Sequence, residues 1–265
     1  HEIEEEPIAI QLEATDLFER AGSFLREQGQ YAEAEPLLSL TLTLRERYMS
    51  ADDLAIATSL SSLAGLYFYQ DRYQQAAALV ERAFAIRQQR LGTEHQETTE
   101  SLKHLALLYL RQERYEQAEP LLLQSLALSE RHTGYESPAT ANRMSNLALL
   151  YLGQERYDQA EPLFKKAFAI NKRCLGAQHP ETARTMENLA FLYLKQGRYR
   201  RAETLFYRAL CIHAQHSGWE SPDTAYPFYG LAELWRAQKK YTQSESLHQY
   251  VLALRQQCLG EEHLD

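Results

Sequence analysis

The feature that most constrains this chain is a period. A tyrosine stands at Tyr31, Tyr73, Tyr115, Tyr157, Tyr199 and Tyr241, with the same step between every neighbouring two. Three residues beyond each comes Ala34, Ala76, Ala118, Ala160, Ala202 and finally Ser244. Upstream, Leu63, Leu105, Leu147, Leu189 and Leu231 keep the same step. Ala64, Ala106, Ala148, Ala190 and Ala232 follow them directly, and Tyr67, Tyr109, Tyr151, Tyr193 and Trp235 come next in the series. Self-similarity at this spacing means one supersecondary unit used repeatedly. No such unit buries its apolar face alone, so neighbours must stack.

Each unit reads as two helices. Leu102, Leu105, Ala106 and Tyr109 fall at i, i+3, i+4 and i+7, one face of a first helix. A second helix, from about Tyr115 to Arg131, carries Ala118, Leu122, Ser125 and Leu126 at similar spacing. QERY (112–115, 154–157) and QGRY (196–199) read as tight turns between the two. Pro36, Pro120 and Pro162 lie in the first turns of second helices, where the N–H groups have no helical partner. Gly92, Gly134, Gly176, Gly218 and Gly260 follow second helices as C-terminal caps, and Pro138, Pro180 and Pro222 restart the chain.

Composition excludes several classes of function. Net charge is −8, against the basic footprint that nucleic acid requires. No apolar run reaches the length of a membrane span, and no signal peptide opens the chain. Cys174, Cys211 and Cys258 form no CxxC pair, as for reduced thiols in a cytoplasmic protein. There is no phosphate loop, no GxGxxG and no nucleophile–base constellation, so neither catalysis nor a cofactor is expected. His95, His179 and His263 recur only in every second repeat, too far apart for a shared metal, and read as linker structure. Linkers alternate between the LGAQHP (175–180) and SGWESP (217–222) styles, so the chain grew by duplicating a two-repeat block. The opening His1 and a last block that stops inside a linker suggest an excerpt of a longer protein.

The units NLALLYLGQERYDQAEPLFKKAF (146–168) and NLAFLYLKQGRYRRAETLFYRAL (188–210), with the linker LGAQHPETA (175–183), resemble the tetratricopeptide repeat in its 42-residue kinesin-light-chain-like form. The resemblance covers about residues 13–265. It implies an all-α, right-handed superhelical solenoid of six antiparallel helix pairs in one domain. The repeats fall at about 13–52, 53–94, 95–136, 137–178, 179–220 and 221–260, after an acidic lead at 1–12. It also implies a protein- or peptide-binding module without catalysis, the ligand-sensing region of a larger bacterial signalling protein such as a STAND-type ATPase. The alternative is a structural scaffold that self-associates and has no separate ligand.

In the family, first helices line a concave surface. Counting back from the alanine gives three candidate series there. Two residues before it lie His104, Asn146, Asn188 and Gly230; three before, Lys103, Ser145, Glu187 and Tyr229; six before, Glu100, Asn142, Arg184 and Tyr226. Asn146 and Asn188 match the asparagine with which such repeats hold a peptide main chain, an amide both donating and accepting. The alternative is that the asparagine is a repeat-consensus residue that braces its neighbour. Lys103, Asn146 and Arg184 resemble three of the five positions of a carboxylate clamp, although Leu107 and Asn188 replace the other two. With Arg111 and Lys195 they favour a partner that is acidic, despite Glu100 and Glu187. Tyr226 and Tyr229 offer aromatic anchors, or pack on an adjoining repeat. The predicted peptide-binding set is therefore Lys103, His104, Asn142, Asn146, Arg184, Asn188, Tyr226 and Tyr229. The first repeat fits the pattern worst, having Gly22 where the others have alanine.

Overall fold

The computed structural model describes residues 2–259, with side chains from Leu12 to Leu254 and at Gln256. Gly260, His263 and the Cys258 side chain lie outside what is described. Twelve helices and no strand occur among the described residues. They run in pairs: α1 (Glu2–Glu27) and α2 (Tyr31–Tyr48), α3 (Leu54–Tyr69) and α4 (Tyr73–Leu91), α5 (Gln96–Arg111) and α6 (Tyr115–Thr133), α7 (Pro138–Gly153) and α8 (Tyr157–Cys174), α9 (Pro180–Lys195) and α10 (Tyr199–Ser217), α11 (Pro222–Ala237) and α12 (Tyr241–Leu259). The acidic lead is part of α1, which has 26 residues where α3 has 16. The chain forms two compact units, residues 1–121 and 122–265, with the boundary inside α6.

The turn inside each pair is built the same way every time. One residue takes the left-handed conformation: Gly29, Asp71, Glu113, Glu155, Gly197 or Lys239, with φ between 57° and 77°. The next N–H then reaches back five residues, Arg72 to the Tyr67 carbonyl at 2.9 Å and Arg156 to that of Tyr151 at 2.8 Å. This satisfies carbonyls that the helix end would leave unpaired. The hydrophobic contact that normally accompanies such a cap is here a cation over a ring. Arg72, Arg114 and Arg156 lie 3.8, 4.5 and 4.3 Å from the centroids of Tyr67, Tyr109 and Tyr151.

Linkers cap the first helices. Asp53, Ser137 and Ser221 accept backbone N–H groups at 2.8, 3.1 and 3.3 Å. His95 and His179 do the same through Nδ1, accepting from Glu97 and Glu181 at 3.3 and 3.1 Å. Both described linker histidines are thus caps, and their alternation with serine reproduces the two-repeat period. Four of the glycines expected to end second helices, Gly92, Gly134, Gly176 and Gly218, have φ from 84° to 98°.

Within each unit, a second helix packs on its own first helix and on the next one. In the first unit Ile56, Ala57 and Leu60 meet Ala83 and Ile86. In the second, Ala183 and Met186 meet Ala209 and Ile212, the same register three repeats on. Ala34, Ala76, Ala160 and Ala202 are wholly buried, since only a small side chain lets the pair approach. Ser244 keeps that place in the last pair because its Oγ donates to the Ala232 carbonyl at 2.9 Å. The glycine at position 22 also has a reason. A Cβ there would meet the Leu38 side chain at 2.8 Å, so alanine at this position would require that leucine to shift.

Candidate functional site

Six of the eight candidates lie in the second unit, on α7, α9 and α11. Lys103 and His104 lie on α5 in the first. Asn146 and Asn188 are nearly buried, at 9% and 8% exposed. Asn146 is braced by its own helix, its Nδ2 reaching Asn142 Oδ1 at 3.5 Å, and Arg143 also donates to Asn142 at 3.3 Å. The Asn188 amide has no hydrogen-bond partner among the described residues.

Tyr226 and Tyr229 come together around a residue that sequence reasoning missed. The Phe191 ring lies 5.1 Å from Tyr226, 6.2 Å from Tyr229 and 4.9 Å from Phe206. Tyr226 nonetheless remains 41% exposed. The two tyrosines therefore pack on the adjoining repeat, Tyr226 still facing outward and Tyr229 half-buried. Gly230 makes room for this arrangement, because a Cβ on it would overlap the Phe206 ring at 2.2 Å. Beside the cluster lies a cleft of about 650 Å³ between α9 and α11, lined by Phe191, Leu194, Lys195, Tyr229, Arg236 and Tyr241 among others. In the first unit His104 lines a smaller cleft of about 350 Å³ with Arg26, Gly65, Phe68, Tyr69 and Leu107. The signal for Phe191 was present in its register, which reads Gly65, Leu107, Leu149, Phe191 and Glu233.

The charges divide differently from a count of residues. Lys103 pairs with Glu100, and Arg184 with Glu181. Arg111 and Lys195 have no ion-pair partner among the described residues. The positions three before the alanine are not uniformly exposed, contrary to the sequence count: Ser145 is 4% and Glu187 2% exposed. Ser145 Oγ donates to the Ala141 carbonyl of its own helix at 3.0 Å, and Glu187 turns toward the second helix of its pair. There Glu187 Oε1 lies 3.0 Å from Nε2 of His213, which is also buried. Burial pushes the Glu187 carboxyl up. Burial alone would push His213 down, but the adjacent carboxylate outweighs it and the imidazole also moves up.

No group of three or more potential metal ligands occurs among the described residues, and no helix there is long and apolar enough to cross a membrane. Family models described as the tetratricopeptide repeat match residues 13–89, 56–131, 137–213 and 229–265. The chain belongs to the tetratricopeptide-repeat family. Its structure is similar to kinesin light chain tetratricopeptide-like repeats from Podosopora anserina, at 25% identity and TM-score 0.57 over 76% of this chain and 94% of that one. BtubC (BKLC) from P. vanneervenii shares the fold at 22% identity and TM-score 0.60, over 94% and 91% of the two chains. So does a Rap protein complexed with Competence and Sporulation Factor, at 15% identity and TM-score 0.65, over 92% and 75%. No curated protein matches the tetratricopeptide chain.

Proposed function

We propose that this tetratricopeptide chain is a protein- or peptide-binding module whose ligand lies along α7, α9 and α11. The observation that carries the reading is the cleft beside Phe191. Phe191 and the unpaired Lys195 line it from α9, Tyr229 and Glu233, itself paired with Arg236, from α11, and the unpartnered Asn188 amide lies three residues before Phe191 on α9. An amide left with donor and acceptor free suits an extended main chain. Aromatic rings that stay exposed after packing suit an apolar anchor. Lys195 favours an acidic group on the partner, as Arg111 does on the first unit. A related fold seen in complex with a factor is consistent with this use. The natural setting we infer is the sensing region of a larger bacterial signalling protein of the STAND-ATPase kind.

A second reading has its own observation. Trp219, in the linker before α11, is 58% exposed, as a self-association surface would require. Both readings are tested together. Peptides selected from a displayed random library are titrated by calorimetry against Asn188→Ala, Phe191→Ala, Arg184→Ala, Lys195→Ala and Trp219→Ala, at low and high salt. Loss at Asn188 and Phe191, with weakening by salt, is the expected outcome. Loss only at Trp219, with a mass by light scattering that rises with concentration, would replace the groove with the scaffold.

A further inference from the structure

The second helices carry a buried polar residue at one register: Arg45, Arg87, Ser129, Asn171 and His213, all between 2% and 8% exposed. The two arginines reach both their own first helix and the next one. Arg45 donates to Glu19 on α1 and, at 2.7 Å, to Ser59 on α3. Arg87 donates at 2.7 Å to Ser61 on α3 and to Ser101 on α5 at 2.6 Å. Ser129 shares a hydrogen bond with Thr140 on α7 at 3.1 Å. The arginine and serine nodes are polar fastenings between neighbouring helices. A guanidinium, a hydroxyl and an amide hold the same charge across the physiological range. His213 is the exception, because imidazole is the side chain that titrates there.

The groups around it complete the node. Glu187 lies against it from α9, while Arg184 on α9 and Asp223 on α11, which accepts from Ser217 Oγ at 2.8 Å, act on it electrostatically. Both His213 ring nitrogens and Glu187 Oε1 lack a well-aligned hydrogen bond among the described residues, so Nε2 and Oε1, 3.0 Å apart, meet as a buried charge pair. With the Glu187 side chain 3% exposed and that of His213 8%, water cannot replace a lost counter-charge unless α10 moves from its neighbours.

We propose that the joint joining α9 and α10 to α11 is a proton-controlled fastening, closed while the His213 imidazole carries its proton beside Glu187 and loosened when that proton leaves. The direction follows from linkage. The folded pair binds the proton more tightly than the two separate side chains do in the unfolded chain. The stabilisation from His213 is therefore complete below the ordinary imidazole value of 6.5 and is lost as pH rises from there through the raised folded value. Glu187 moves in the same direction, raised from 4.5, so its contribution has the same sign but begins to be lost at lower pH. The joint stands independently of the groove reading. Only its consequence for a ligand rests on that reading, through Asn188 and Arg184, one and three residues from Glu187.

The test is amide hydrogen exchange on the whole chain without ligand at pH 6 and pH 8.5, corrected for intrinsic rates. Protection in α10 and α11 should fall at least about fivefold more than in α8 of the same unit. Glu187→Ser with His213→Asn copies the Ser145 and Asn171 of the preceding pair. It should abolish that difference. Equal protection at both pH values, or an unchanged difference in the copied pair, would overturn the proposal. Should the double variant not fold, NMR titration of the wild-type His213 ring decides: a midpoint above the ordinary value supports the fastening, and one at or below it sinks it. Because no ligand is present, failure here leaves the groove reading untouched.

Discussion

At the buried register of the second helices the first unit carries Arg45 and Arg87, whereas the second carries Ser129, Asn171 and His213. Seven positions earlier the sizes run the other way. The first unit has Leu38 and Val80, and the second has Leu122, Phe164 and Phe206, both rings fully buried. A guanidinium spans two neighbouring helices at once and needs only a modest apolar partner beside it. A short amide cannot span them, and Asn171 leaves its Oδ1 without a partner. There the larger ring supplies the cohesion, about 1.5–3 kcal/mol for each fully buried phenylalanine. One backbone period thus tolerates two ways of fastening its units, polar reach or apolar bulk.

The comparison is broken most severely by removing either device. Arg45→Ala leaves Glu19, whose side chain is 12% exposed, without its cation. It should cost about 3–5 kcal/mol, read as lost exchange protection in α1 to α3. Phe206→Ala should cost about the same in α9 to α11 through the cavity it opens. If the arginine variant proves nearly neutral, polar reach is not what holds the first unit. Gly230→Ala should cost about 1–3 kcal/mol in urea denaturation, since the Phe206 ring must shift to admit a Cβ placed 2.2 Å away. Asn171→Ala sharpens the contrast with Arg45: a poorly satisfied amide should be worth less than about 1.5 kcal/mol. Smallest is Glu155→Gly. Its φ of 60° is unfavourable for a side chain, so glycine should change stability by less than about 1 kcal/mol in the stabilising direction, read as a shift of the urea midpoint.

Much of this fold is legible in the residues themselves. Tyrosine, alanine and proline recur at one step, and each has a local steric job, so period alone places the helices. Turn and cap chemistry is local too, which is why Gly134 or Ser137 can be read from a few neighbours. Glu187 shows where that stops. By count it belongs to the concave face and adds negative charge to it, yet it lies under His213, which is far along the chain and on another helix. Phe191 was passed over for the same reason. Its ring is shared with Phe206, Tyr226 and Tyr229, and only packing brings these together. Treating positions one period apart as equivalent finds the scaffold. It misses the places where one repeat has acquired a partner the others lack. How Asn188 and Lys195 are used follows from a ligand, whose identity lies beyond any property of the chain's own period.

The alternation of helix caps also bears on how such a chain can be edited. His95 and His179 cap α5 and α9, and Ser137 and Ser221 cap α7 and α11, each set in a linker of its own style. A cut-and-rejoin event that removes two adjacent repeats puts every cap back behind the linker style it already had. Removing a single repeat preserves the helical phase but brings together helix pairs whose opposing surfaces had never met. Lengthening or shortening by recombination should therefore favour even numbers of repeats. A family of variants of this chain with different repeat counts would be expected to differ by whole two-repeat cassettes.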